Sequence, residues 1–418
     1  MKPSSQKSWE EISFGDVVAH SAFGPRFSGD DYAEDGNVAT LRTTGLDDHG
    51  RISYESMPLA RLNEDNYANH LLKPGDLVIT RSGTCGIAAV FEGFPLPVLP
   101  GAFLIRFRLN DRADARFFRY YFNSPFGRMN ILSVARGAVQ QNLNITNVET
   151  LRVSLPPLDT QREIVATVSA YDELMDNNRR RMELLEESAR LLYREWFVRL
   201  RFPGHEHARL TNSIPQGWAK KSLESVCTED DGIQTGPFGS QLHQSDYTEE
   251  GVPVVMPTNI IGFRISIEDI ARIPEELADK LGRHRMIPGD TVYGRRGDIG
   301  RRAFISRRQT GWFCGTGSLR IRPNPKQINP RYLFDTLGSP ETAGTIANRA
   351  KGATMPNLNG RVLKSIPVLV APRSLQDIYA EQVEPMADMV ETLAVQNQKL
   401  RAARDLLLPP LMSGEINL

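Results

Sequence analysis

Arginine is the residue type whose chemistry stands out in this chain. Between Arg283 and Arg322 there are ten: Arg283, Arg285, Arg295, Arg296, Arg301, Arg302, Arg307, Arg308, Arg320 and Arg322, against Asp290 and Asp298 alone. A guanidinium is a planar fork that bonds a phosphate, or the O6 and N7 edge of guanine, through two parallel hydrogen bonds. The cluster therefore points to nucleic acid. A thinner set, Arg81, Arg106, Arg108, Arg112, Arg116 and Arg119, occupies the comparable span of the first half. Tyr32 and Tyr247 each follow an Asp and share a spacing to the next Gly, a pattern open to two readings, a turn packed by a ring or a base contact. Thr258 and Asn259 follow an apolar run, with Thr43 at the matching place in the first half, and an Asn can meet adenine at two points. The DNA-facing set read from sequence is Arg81, Arg106, Arg108, Thr43, Tyr32, Tyr247, Thr258, Asn259, Arg295, Arg296, Arg301, Arg302 and Arg320.

Catalytic chemistry finds little support. There is no phosphate-cradling Walker loop and no dinucleotide-binding glycine fingerprint. Asn329-Pro330-Arg331-Tyr332 approaches the Asn-Pro-Pro-aromatic motif of adenine methyltransferases, but Arg331 stands where the second Pro is needed. His205-Glu206-His207 lies in a polar stretch after Phe202-Pro203-Gly204, which reads as linker, not metal ligands. Ser82 and Ser318 have no triad partners at recognisable spacing. Asp76 and Asp290 are the best matched carboxylates, yet each closes a Pro-Gly-Asp turn, where Asp is ordinary turn chemistry. Cys85, Cys227 and Cys314 are far apart and read as free thiols. The expectation is a binding protein with no catalytic residues, metal or cofactor of its own.

The elements that must position these side chains come in two copies. Residues 9–200 recur as 218–411. Pro74-Gly75-Asp76 matches Pro288-Gly289-Asp290, and Val78, Arg81, Gly83, Gly86, Gly101, Arg106, Arg108 and Asn110 match Val292, Arg295, Gly297, Gly300, Gly315, Arg320, Arg322 and Asn324, all 214 residues apart. Asp31, Tyr32, Gly36 and Thr43, like Gly137 and Asn142-Leu143-Asn144, match with one residue of slip. Short β-branched runs such as Leu77–Thr80, 103–109, 252–256 and 318–322 read as strands. Ala115–Asn123 and Pro330–Leu337 read as helices ended by Ser-Pro. Each half is thus α/β, with α+β character.

After each half the apolar period becomes helical and sustained. Ile164, Val168, Tyr171, Met175, Met182, Leu185, Ala189, Leu192 and Trp196 step by three and four, interrupted by Asn178; Val383, Met386, Val390, Leu393, Leu400, Leu407 and Leu411 do the same, interrupted by Asn397 and Arg404. These are the seams of two long antiparallel helices forming a coiled coil, in which a buried Asn sets register. The first, from 160 to about 200, is roughly 60 Å long at about 1.5 Å per residue. The chain divides as 1–158 and 203–372, two similar globular domains, with 159–202 and 373–418 as spacer helices. The formal charge, 50 basic against 50 acidic residues, gives no global pull toward an anionic partner. No apolar run approaches the roughly 18 residues of a membrane span, and Met1-Lys2-Pro3-Ser4-Ser5 lacks a signal-peptide core, so a cytoplasmic location is expected.

Four stretches carry a family resemblance over nearly the whole chain. They are Leu155-Pro156-Pro157-Leu158 with Gln161-Arg162-Glu163-Ile164-Val165; Arg194-Glu195-Trp196-Phe197-Val198; Gly236-Pro237-Phe238-Gly239-Ser240 with Asp246-Tyr247 and Gly251-Val252-Pro253-Val254; and the ending with Pro409 and Ser413-Gly414-Glu415. Together they resemble the specificity subunit of type I restriction-modification enzymes. The first copy departs from the third stretch, Ala22-Phe23-Gly24-Pro25 replacing the Gly-Pro-Phe-Gly order, and Ala371-Pro372-Arg373-Ser374-Leu375-Gln376 keeps only the Pro and Gln of the helix start. The resemblance implies two target recognition domains, each reading half of a split, asymmetric site in double-stranded DNA, with the helices setting the unread gap. It implies two methyltransferase subunits and two motor-nuclease restriction subunits as partners, to which S-adenosylmethionine, ATP and Mg²⁺ belong. A stand-alone bivalent DNA-binding protein is the alternative.

Overall fold

The computed structural model describes residues 9–135, 142–211, 213–238, 241–295, 299–350 and 358–416. The chain forms two compact units, one of Met1–Arg179 with Ala394–Leu418, the other of Arg180–Leu393. Each long helix contributes to both.

In the first unit, Val18–Phe23, Leu104–Leu109, Leu77–Thr80 and Ala88–Val90 form an antiparallel sheet in that order. Leu59–Ala60, Val38–Leu41 and Val98–Pro100 form a second sheet whose last pair is parallel. Glu10–Ser13 pairs with Arg152–Leu155, bringing the start of the head back to the residues that launch the first long helix. The β-branched run Leu77–Thr80 is a strand, and it and Val38–Leu41 are buried throughout because both of their faces are covered. The head helix Ala115–Asn123 is capped by Asp114, whose carboxylate accepts from the Arg116 amide, and it buries Phe117, Phe118, Tyr121 and Phe122. Phe14 meets Phe107, Phe118 and Phe122 edge-on at 5.0–5.3 Å.

The second unit repeats this plan. Ile233–Thr235, Ser318–Ile321, Thr291–Gly294 and Arg302–Phe304 form the four-stranded sheet; Arg272–Ile273, Val252–Val255 and Phe313–Cys314 form the mixed three-stranded one; Ala219–Ser222 pairs with Pro367–Val370. The head helix is Pro330–Leu337, with Asn329 as its cap. The Pro-Gly-Asp turns are alike too: Gly75 and Gly289 have φ of +92° and +93°, a region that favours glycine. The fold is therefore mixed α/β, with two β-rich domains and a pair of long helices.

Leu158–Tyr193 is α-helical and widens into a π turn over Arg194–Val198; Arg373–Ser413 is the second long helix. Within the first unit, Asp172 bonds Arg404 and Asn178 bonds Asn397, so position rises on one helix as it falls on the other. Within the second, Ala189, Tyr193 and Phe197 share a core with Tyr379 and Val383. The helix segments are antiparallel in each unit. Val168, Met175, Met182, Val390 and Leu393 are buried, whereas Leu185, Leu192, Leu400 and Leu407 are half-buried.

Candidate nucleic-acid interface

The three matched arginine pairs are an interior pair, a half-buried pair and a rim pair. Arg106 and Arg320 occupy equivalent places on central strands and are 1% and 0% exposed, which removes them from any DNA-facing set. Arg106 donates to His20 Nδ1 at 2.7 Å and to the Leu71 carbonyl at 3.3 Å; burial, then the neighbouring Arg108, lowers its pKa. Arg320 donates to the Asp231 carboxylate at 2.9 Å and to its carbonyl at 2.7 Å. The expected phosphate contact at both positions is corrected: these side chains stitch strands and loops together from inside. Arg108 likewise makes two 2.8 Å bonds to the buried carboxylate of Asp76, and Arg322 bonds Asp290 in the same way at 2.9 and 2.8 Å. Each aspartate also accepts from the backbone amide three residues earlier, closing its turn. The recurring Pro-Gly-Asp and Arg spacing is thus a folding device.

The ten-to-two charge ratio does not survive folding either. Acidic residues outside the 283–322 window come up against it: Asp231 pairs with Arg320 and Arg322, Glu275 and Asp279 with Arg285, and Glu391 with Arg308. Arg302 is buried, stacked on Phe263 and Phe334 at 4.7 and 4.9 Å, with Nε donating to the Phe334 carbonyl. Its expected DNA contact is also corrected. Arg301 and Arg307 are exposed. Arg296 lies outside the described residues.

Arg81 and Arg295 form the rim pair. Each ends a central strand, and each backbone carbonyl accepts from the Leu of the Asn-Leu-Asn run, Leu143 or Leu358. Arg81 lies over the Phe23 ring at 4.4 Å and Arg295 over the Phe238 ring at 5.6 Å, while Arg295 Nε donates to the Leu358 carbonyl. The two phenylalanines are not equivalent. Strand register sets Phe23 opposite Ile105 and Thr235 opposite Leu319, which equates Gly24 with Gly236 and Gly24-Pro25 with Gly236-Pro237. Both glycines press against a backbone carbonyl, of Gly101 and Gly315, where a Cβ would lie within about 2 Å of oxygen. The first copy therefore keeps the Gly-Pro of the motif and supplies its ring from the preceding strand residue. Sequence comparison missed this because it followed the Phe.

The polar candidates separate in the same manner. Asp31 and Asp246 cap their turns by accepting from the Ser28 and His243 amides. Tyr247 packs on a small core with Leu242 and Val252 and its pKa is raised by burial, then by Asp246. Tyr32 instead lies at the surface between Phe27, at 5.3 Å, and the exposed Arg42 guanidinium, at 4.3 Å. Arg42 and Phe27 escaped the sequence reading because nothing in their spacing links them to Tyr32. Thr258 is exposed and Thr43 half-buried. Asn259 is 7% exposed and its Oδ1 accepts from the Met256 amide at 2.9 Å, so the expected two-point adenine contact is corrected to a turn. Among the described residues no group of His, Cys, Asp and Glu is arranged to hold a metal, the three thiols are buried and unpaired, and no helix is long and apolar enough to cross a membrane.

Each head is fixed to the helix that follows it by one buried glutamine. Gln161 accepts from the Asp114 amide at 2.8 Å and donates to the Pro156 carbonyl; Gln376 accepts from the Asn329 amide at 2.8 Å and donates to the Ala371 carbonyl. That is why the Gln survives at both helix starts while neighbouring residues change.

Residues 6–187 match the model of the type I restriction modification DNA specificity domain. The chain is thus similar to the specificity subunits of type I restriction-modification systems. It is similar to a putative type I restriction enzyme MjaX specificity subunit of Methanocaldococcus jannaschii, with 22% identity over 377 residues, 85% of this chain and 81% of the relative. It is similar also to the EcoKI specificity subunit of Escherichia coli strain K12, with 23% identity over 364 residues, 82% and 75% of the two chains. Its fold matches the crystal structure of a type I restriction-modification S subunit from M. genitalium with a TM-score of 0.63 at 17% identity, covering 99% and 98% of the chains. A specificity subunit is the DNA-binding, non-catalytic part of its enzyme.

Proposed function

We propose that this specificity subunit reads a bipartite, asymmetric DNA site, one unit per half-site, with the long helices setting the length of the unread gap. One observation carries the reading: the units repeat the same sheets and the same buried Arg–Asp framework, while their rims differ, Tyr32 with Arg42 in one and the exposed Phe238 in the other. Arg81, Arg295 and Arg301 contact phosphates and fix register, and Thr43, Thr258 and Tyr32 with Arg42 approach base edges. Arg108 and Tyr247 act by shaping the loops that present them. Two methyltransferase subunits assemble on the chain and methylate adenine; two motor-nuclease subunits join them to cleave. S-adenosylmethionine, ATP and Mg²⁺ serve those partners. An adenine to be methylated must leave the base stack, so the heads also hold distorted DNA.

The test is to exchange the head spanning residues 9–155 for the corresponding head of another specificity subunit and to map modified adenines made by the complex with its methyltransferase. One half of the recognised motif should change while the other stays. A motif that changes in both halves, or in neither, contradicts the assignment of one unit to one half-site.

A further inference from the structure

The joint between the first head and the long helices is built from charge. Asp172, on the first long helix, has a side chain only 9% exposed. Its Oδ1 accepts from Arg404 Nη1 of the second long helix at 2.7 Å. Its Oδ2 accepts from the Tyr120 hydroxyl at 2.8 Å and from Arg119 Nη2 at 3.2 Å, both on the head helix. Arg51, in the surface loop of residues 46–53, reaches within 3.7 Å of the same carboxylate and bonds Asp176 one turn along at 2.5 Å. One carboxylate thus joins four elements of the unit. Burial opposes its charge, but the bonds from Arg404 and Tyr120 outweigh that and keep its pKa below the ordinary value.

The second unit solves the same problem differently. At the position equivalent to Asp172, 215 residues on, stands Ala387. Tyr193, Phe197, Tyr332 and Tyr379 pack ring against ring, Phe197 and Tyr332 at 4.7 Å. The Tyr379 hydroxyl donates to Asp335 on the head helix at 2.9 Å, and the Tyr193 hydroxyl to Thr336 at 3.1 Å. Ring packing with two hydroxyl bonds therefore stands in the second unit where the first has ion pairs. A buried ion pair is a weak source of net stability compared with such packing. What a carboxylate held on both oxygens adds is direction, since each bond fixes an angle as well as a distance.

We propose that Asp172 is a positioning residue, fixing the pose of the first head on its helix pair so that one gap length between the half-sites is accepted. The proposal rests on the bipartite reading above. Its test uses the complex with the methyltransferase partner and a DNA library in which the gap varies base pair by base pair about the wild-type length. Asp172→Asn keeps the side-chain size and removes the charge; Arg404→Gln leaves the Tyr120 and Arg119 bonds in place and carries the test should Asp172→Asn fail to fold. Both should keep the half-site sequences, lower modification at the wild-type gap by about tenfold, as expected for loss of a charge-assisted bond, and modify gaps one base pair longer and shorter above background. Tyr193→Phe, in the second unit, should keep the single gap.

A uniform fall at all gaps that tracks lost folded protein, or an unchanged gap profile, overturns the proposal while leaving bipartite reading intact. A wild-type complex indifferent to the gap overturns the bipartite reading, and this proposal with it.

Discussion

At the scale of the residue, side-chain type was a poor guide to direction. Ten arginines in one stretch suggested a basic face, yet Arg302 and Arg320 are interior, and Asp231, Glu275, Asp279 and Glu391 neutralise others from distant parts of the sequence. Linear windows cannot see such partners. What was legible was turn chemistry: Pro-Gly-Asp and Asp-Tyr were open to a local structural reading, and hydrogen bonds to nearby amides give it. Arg320 has a neighbour with a measurable consequence. His284 is 1% exposed, and burial, then the adjacent Arg283, hold its pKa down to about 4. The unfolded chain takes up that proton near the ordinary value of about 6.5. Between about pH 6.5 and 4 the unfolded state therefore binds more protons, and stability falls as pH drops, by about 1.4 kcal/mol per unit. Denaturant midpoints measured at pH 7.5 and 5 should show the loss, and His284→Gln should flatten it. An equal slope in wild type and variant would show that His284 is not the group responsible.

At the scale of the element, the helices were the most legible part. Period alone located both, and the polar interruptions in their seams were visible as Asn178, Asn397 and Arg404. What sequence did not show was how the interruptions pair. Asn178 Nδ2 donates to Asn397 Oδ1 at 2.9 Å and Asn397 Nδ2 to the Met175 carbonyl at 3.1 Å, while Arg404 answers Asp172, a residue outside the apolar period. The pairing follows from antiparallel packing, which connectivity suggested but could not place in register. A double-mutant cycle tests it. Asn178→Leu alone should cost about 1–3 kcal/mol, since the Asn397 amide loses its partner in the seam; adding Asn397→Leu should recover most of that. Additive losses measured by denaturation would mean that the two amides do not interact. The four runs named as strands were near-correct in extent, whereas the Gly24-Pro25 equivalence needed strand register, because two non-equivalent phenylalanines serve equivalent arginines.

At the scale of the whole molecule, duplication is the observation that supports the proposed bipartite reading. Two heads that share an interior and differ at the rim fit the proposed split, asymmetric site, one head to each half. The shared interior is the buried Arg–Asp framework and the glutamine that fastens each head to its helix; the difference lies in rim residues and in the chemistry of the head-to-helix joint. Base readout stayed illegible because it depends on the pose of a few rim side chains and on how readily the DNA deforms. The most direct measurement is to express the chain with its methyltransferase partner and map modified adenines across a genome by single-molecule sequencing, with and without the chain. The account predicts a split, asymmetric motif with one fixed unread gap that disappears when the chain is omitted. A continuous motif, or the same modification without the chain, would contradict it.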